Sequence, residues 1–243
     1  MIIGGGIFIG PGITIKNDAI PGIITNGLIM NLAVAPSTAI VGTTWTDISG
    51  NGNNGTLAGT NTYLSYTAAH GGGIVVTGSE SGTYISTGYN LSSSTFTVSM
   101  AASFNPTTYW ATLWGNEYYS GSQGYYAYMP GATSLNVGSA GSPANFVVPS
   151  NLGATLAIWD FVISGTSVTV YKNGVSTYTG TTTVPTFATD GLYFGSRHAN
   201  GGGNTNTDNC AGTYYSMRVY NVALNSTQIA QNYSALKGTY GLS

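Results

Sequence analysis

Very few residues of this chain carry charge: Asp, Glu, Lys and Arg together make up 5% of its 243 residues, against roughly 25% in ordinary domains. The five basic residues, Lys16, Lys172, Arg197, Arg218 and Lys237, are scattered. No stripe can neutralise several phosphates, and nucleic-acid binding is excluded as an expectation. Glutamate occurs at Glu80 and Glu117 alone, in different segments. Glycoside hydrolysis needs two carboxyl groups facing one bond, so an enzyme of that kind is not expected. His70 and His198 are the only histidines and no Gly-x-Ser-x-Gly elbow occurs, which removes the usual base and nucleophile pairings. The lone Cys210 excludes an intrachain disulfide and reads as a small buried hydrophobe. No apolar run approaches the ~20 residues of a membrane span. The apolar N-terminus lacks a basic first region and is broken by Gly4, Gly5, Gly6, Gly10, Pro11 and Gly12, so it does not read as a signal peptide. The chain is therefore expected to be made in a cytoplasm, without a membrane partner.

What remains is rich in Gly, Ser, Thr and Asn, with 18 Tyr, 7 Phe and 4 Trp to build a core. Helix formers are scarce, whereas Thr, Val, Ile and aromatic residues favour pleated surfaces, so the class is all-β. The length suits one large sandwich. From Gly27 onward short apolar alternations are separated by turn residues. Strands are expected at 28–32, 74–77, 83–86, 95–104, 111–115, 125–129, 135–138, 154–164, 167–172, 191–195 and 212–220. Gly165-Thr166 and Asn173-Gly174 punctuate Phe161 to Val175 as a meander. One helix is expected after Asn225, with Gln228 completing a capping box, Ile229, Tyr233 and Leu236 at helical spacing, and Gly238 as the stop. Residues 1–26 differ: Ile2, Ile3, Ile7, Phe8, Ile9, Ile13 and Ile15 are interleaved with Gly and Pro. They cannot form a core alone and read as a docking arm.

Trp45-Thr46-Asp47-Ile48-Ser49-Gly50-Asn51-Gly52-Asn53-Asn54-Gly55-Thr56-Leu57 joins an aromatic anchor, a carboxylate and an Asn/Gly turn between two short extended pieces. Together with Tyr214-Tyr215-Ser216-Met217-Arg218-Val219-Tyr220-Asn221-Val222-Ala223-Leu224, this stretch resembles the concanavalin A-like lectin/glucanase domains of laminin-G type, loosely over residues 27–243. The resemblance implies a jelly-roll β-sandwich with a short helix across one end. Such domains occur in bacterial surface proteins and in structural proteins of tailed phages. Relatives often carry an Asp after the first strand, where this chain has Ala33.

Three groups of residues are candidates for function. Calcium, implied by the resemblance, would draw on Asp47 with Asn51 and Asn53, or on Asn204, Asn206, Asp208 and Asn209, as oxygen ligands suited to a hard cation. No other cofactor is expected. For Asp47 the competing reading is a carboxylate that holds its own turn. Carbohydrate binding would use Trp110, Trp114, Tyr118 and Tyr119, in a segment that continues through Gln123, Tyr125, Tyr126 and Tyr128. Alternation along the strands allows Trp110, Trp114, Tyr126 and Tyr128 to be core or sheet-face residues instead. The arm residues would dock to other virion proteins by adding a strand to a neighbour's sheet edge. The expected function is a virion structural protein, a capsid decoration or fibre component assembled in the host cytoplasm, as a homo-oligomer with a trimer preferred. The alternative is a lectin module that attaches to host glycans.

Overall fold

A computed structural model describes residues 22–33, 35, 37, 42–59, 63–77, 83–105, 111–116, 123–149, 152–187, 191–196 and 209–243. The strands are β1 (Leu28–Leu32), β2 (Thr44–Trp45), β3 (Gly55–Ala58), β4 (Leu64–Thr67), β5 (Gly73–Val76), β6 (Tyr84–Thr87), β7 (Thr95–Asn105), β8 (Ala111–Gly115), β9 (Tyr125–Gly131), β10 (Ser134–Ser139), β11 (Ala144–Val147), β12 (Ala157–Ser164), β13 (Ser167–Lys172), β14 (Val175–Thr181), β15 (Tyr193–Phe194) and β16 (Ala211–Tyr220); the helix is α1 (Ser226–Leu236). The class is all-β, as the composition implies. Three strands, β4, β11 and β14, were not expected from the sequence, and the stretch 154–156 precedes β12 instead of belonging to it.

Two antiparallel sheets form a jelly-roll sandwich. The first runs β14-β13-β12-β7-β16-β5-β4, with β1 also paired to β16; the second runs β11-β10-β9-β8-β15-β6-β3-β2. The meander of β12, β13 and β14 turns at Gly165, with φ 62°, and at Asn173-Gly174, with φ 51° and 78°, the left-handed geometry that selects Asn and Gly in tight hairpins. Period-two alternation sends Trp159, Phe161 and Ile163 of β12, Val98 and Met100 of β7, and Met217 and Val219 of β16 into the core between the sheets. Leu57, Ile85, Trp114, Tyr125 and Phe194 come from the second sheet. Each such side chain contributes about 1.5–3 kcal/mol by leaving water.

The outer face of the first sheet is also covered. The Asn225 side chain accepts from Gln228 N at 3.0 Å and the Gln228 side chain accepts from Asn225 N at 2.9 Å, the reciprocal box that starts α1. The helix ends at Leu236 with Lys237 as C-cap, just before the expected Gly238 stop. Ile229 of α1 packs with Val162, Tyr171, Tyr220 and Leu224, and Leu236 packs with Ala101, Ile158, Tyr215 and Tyr240. The last residues of the expected arm rest on this helix: Ile24 N donates to Asn232 Oδ1 at 2.7 Å, and Gln231 Nε2 donates to the Gly22 carbonyl at 2.8 Å. Ile2, Ile3, Ile7, Phe8, Ile9, Ile13 and Ile15 lie outside the described residues. No described helix is long and apolar enough to cross a membrane.

Candidate functional site

Among the described residues no helix packs on the outer face of the second sheet, and its register lines up tyrosines and amides. One row across the strands reads Thr56, Ser86, Tyr193, Gly115, Tyr126 and Gly138. A second reads Asn145, Asn136, Tyr128 and Thr112. Their chain neighbours, including Leu57, Ile85, Phe194, Ala127 and Leu135, point into the core, so these residues face outward by alternation. Tyr84, opposite Ala58, meets Tyr193 edge-on with ring centroids 5.3 Å apart, and Tyr126 meets Tyr128 at 4.6 Å. Asn136 Nδ2 donates to the Tyr128 hydroxyl at 2.8 Å, and Asn145 Nδ2 donates to Asn136 Oδ1 at 2.5 Å. Tyr84, Tyr128 and Tyr193 are half-buried, Asn145 is exposed, and β8 in the middle of the face is buried. The rows contain no charged side chain. Aromatic edges fixed by amide hydrogen bonds can pack a sugar ring and hold its hydroxyls.

Of the expected carbohydrate residues, Trp114 lies among the described ones. Trp114 is 0% exposed and packs edge-on against Phe96 at 6.1 Å and Phe161 at 5.7 Å. It is a core residue, which corrects its expected sugar-binding role: neither face of the indole reaches solvent. The cause is an irregularity between Thr112 and Trp114, where Thr112 pairs with Tyr128 but Trp114 pairs with Ala127, so two residues that simple alternation puts on one face point to opposite faces. Trp110, Tyr118 and Tyr119 lie outside the described residues.

The calcium candidates divide similarly. Asp47 is buried, and its carboxylate accepts from Asn31 N and Ser49 N at 2.8 Å and from Ser49 Oγ and Asn53 N at 2.9 Å. Burial alone would raise its pKa, but these hydrogen bonds from Ser49, Asn31 and Asn53 outweigh it and hold the carboxyl below its ordinary value. Lone pairs committed to N–H and O–H donors make Asp47 a residue that holds its own turn. Asn51 and Asn53 donate to the Leu28 and Ile29 carbonyls, so the loop is fastened to β1. Asn209 is buried and donates to the Thr83 carbonyl at 2.9 Å; Asn204, Asn206 and Asp208 lie outside the described residues. Among the described residues no three His, Cys, Asp or Glu side chains cluster at metal-binding range.

A model of the concanavalin A-like lectin/glucanases superfamily matches residues 77–230. The chain belongs to this superfamily. The search of curated protein sequences gives no match. Among solved structures, the binding domain of Paraclostridial Mosquitocidal Protein 1 is similar at TM-score 0.63 and 15% identity, over 86% of this chain and 52% of that one. Domain 4 of AbnA, an extracellular arabinanase from Geobacillus stearothermophilus in complex with arabinotriose, is similar at TM-score 0.59 and 19% identity, over 84% and 97%. The binding domain of Botulinum Neurotoxin DC in complex with SialylT gives TM-score 0.61 and 13% identity, over 88% and 52%. This superfamily member thus spans about half the length of the toxin binding domains. At these identities the likeness establishes the fold.

The two described acids of this chain stand on separate elements, Asp47 in the loop between β2 and β3 and Asp160 in β12. Asp47 holds its turn, and Asp160 is 0% exposed beneath α1. Glu80 and Glu117 lie outside the described residues. His70 is exposed with a left-handed φ of 51° and packs edge-on against Tyr215 at 5.4 Å. Cys210 is fully buried, and burial pushes its thiol up to about 12, so it is no nucleophile at neutral pH. Tyr84, Tyr193, Asn136 and Asn145 were missed at the level of sequence. Tyr84-Ile85-Ser86 and Leu135-Asn136-Val137 do alternate polar and apolar, but their assembly into one face depends on pairing strands far apart in the chain.

Proposed function

We propose that this domain is a non-catalytic glycan-binding module whose ligand lies on the outer face of the second sheet. The observation that carries the reading is the uncharged pair of rows containing Tyr84, Tyr193, Tyr126, Tyr128, Asn136 and Asn145. Among the described residues these rows carry no Lys or Arg, which favours neutral sugars over acidic ones, whose carboxylates need a cation. The arabinotriose complex of the similar arabinanase domain supports the same class of ligand. Glycan-array screening followed by calorimetry tests it. Neutral oligosaccharides should bind, and the double substitution Tyr84→Ala with Tyr193→Ala should weaken binding at least tenfold while the fold persists. Absence of binding to every neutral glycan would overturn the reading.

The finer proposal carries this module on a virion, as a homo-oligomer anchored through residues 1–26. Its support is geometric. Gly22 and Ile24 are held on α1, outside the first sheet, while the tyrosine and asparagine rows lie on the opposite side of the sandwich. A domain tethered by the preceding chain would turn its glycan face outward. Ile7→Asp with Ile9→Asp should abolish incorporation into particles and leave glycan affinity unchanged; normal incorporation would contradict the anchoring role.

A further inference from the structure

The rows on the outer face of the second sheet end at β11, an edge strand of that sheet. In β11 Ala144 and Phe146 point into the core, so Asn145 and Val147 stand outward by alternation. Val147 is 84% exposed, the highest value among the described large hydrophobic side chains. A single exposed valine is ordinary on a protein surface, and it is the surroundings that give this one meaning. Edge strands are commonly guarded by charge, yet Ala144–Val147 holds none. By register Val147 lies opposite Ser134, which is half-buried and whose own partner on β9 is Gly131. The row behind Val147 therefore carries one small side chain and then none. Two residues along the same strand, about 7 Å away, Asn145 is exposed and its amide is fixed in direction. Asn145 Nδ2 donates to Asn136 Oδ1 at 2.5 Å, and Asn136 Nδ2 donates to the Tyr128 hydroxyl at 2.8 Å. Both bonds run inward from the edge, and this relay makes no use of Asn145 Oδ1.

We propose that Val147 is a specificity-determining residue of the glycan face, selecting neutral sugars that carry a methyl group beside their hydroxyls, as 6-deoxyhexoses and N-acetylhexosamines do. The inference rests on the glycan-binding reading and names the sugar class at one end of that site. The argument is one of matched polarity over a short distance. A sugar ring seated on this end of the face gives a hydroxyl to Asn145 Oδ1 while a substituent on the far side of the ring meets Val147. A hydroxyl pressed against the valine loses water without gaining a partner there, which costs free energy. A methyl group in the same place gains by leaving water. Valine is also too small to be the stacking platform for a whole ring, a role that aromatic side chains fill. Its contact is with a group of its own size.

Two pairs of sugars test this. L-Fucose and L-galactose differ only by a methyl against a hydroxymethyl group, and N-acetyl-D-glucosamine and D-glucose differ by an acetamido against a hydroxyl group. Chemical-shift titration of the full chain with each sugar gives an affinity ratio for each pair. The methyl-bearing member of at least one pair should bind about fourfold tighter, the effect of burying one methyl-sized group. The pair that shows the preference tells whether the methyl is a 6-deoxy or an acetyl group. Val147→Ser should bring that ratio to about one and Val147→Ile should keep it; substitutions at so exposed a position are expected to fold. A ratio also separates an apolar contact from a loss of structure, because misfolding weakens both members of a pair alike. Equal binding within both pairs, a preference for L-galactose or D-glucose, or a preference that persists in Val147→Ser would overturn the proposal and leave the glycan reading standing. Binding of no neutral sugar would sink the glycan reading itself, and the specificity with it.

Discussion

Replacing Asp47 by alanine should cost about 3 kcal/mol of stability, and the origin of that figure lies in where its four donors sit. Asn31 belongs to β1 in the first sheet, whereas Ser49 and Asn53 belong to the loop between β2 and β3 of the second. One carboxylate therefore fastens the two sheets at this end of the sandwich. A hydrogen bond to a charged acceptor contributes about 1.5–3 kcal/mol, and a buried donor left unmade costs about 1–3 kcal/mol. The Ser49 and Asn53 donors can turn to water once the loop relaxes, but Asn31 is buried, and its N–H and carbonyl both face the loop. The loss should thus fall well below the sum of four bonds. Asp47→Asn should cost about half as much, since its amide retains one acceptor and opposes the remaining donors. The pH dependence follows from the lowered carboxyl. Stability from Asp47 is present above the ordinary value of 3.8 and is lost as pH falls through the depressed value of the folded state. Urea unfolding followed by tryptophan fluorescence is suitable, because Trp45 is 0% exposed two residues away. A loss under about 1 kcal/mol at pH 7, or a difference between wild type and Asp47→Ala that is the same at pH 2 and pH 7, would refute the reasoning.

Other substitutions separate packing from recognition. Trp114→Ala should destabilise by about 3–5 kcal/mol as a core cavity, yet leave glycan affinity intact in the folded fraction; a selective loss of binding would restore Trp114 to the ligand site. Cys210 should resist thiol reagents in the native state and react only on unfolding, and stoichiometric native labelling would contradict its burial. Asn225→Ala should cost about 1 kcal/mol by removing the α1 cap, measured as a lowered Tm, with no change indicating that packing alone starts the helix.

How far the sequence revealed this architecture depends on whether its signals were local. Asn173-Gly174 and the Asn225 to Gln228 box specify their turns through nearby backbone geometry, and both form as expected. Trp45 and the Asn/Gly loop likewise marked the superfamily. β14 escaped because Val175 to Thr181 is mostly exposed and shows no apolar alternation, while β4 and β11 are short, at 4 residues each. Trp114 was misassigned because the irregularity in β8 depends on its partners in β9. The tyrosine and asparagine rows were hidden for the same reason: Ser86 meets Tyr193, and Tyr193 meets Gly115, only after strands separated by long stretches of chain have paired.

A neutral glycan bound on the second sheet's outer face would contact its tyrosine and asparagine rows. Titrating isotopically labelled protein with a neutral oligosaccharide, while following amide and side-chain resonances, tests it most directly. Saturable shifts should concentrate on Tyr84, Tyr193, Tyr128, Asn136 and Asn145 and be absent from α1. Saturable shifts confined to α1 and the first sheet, or no shifts with any neutral oligosaccharide, would contradict the account.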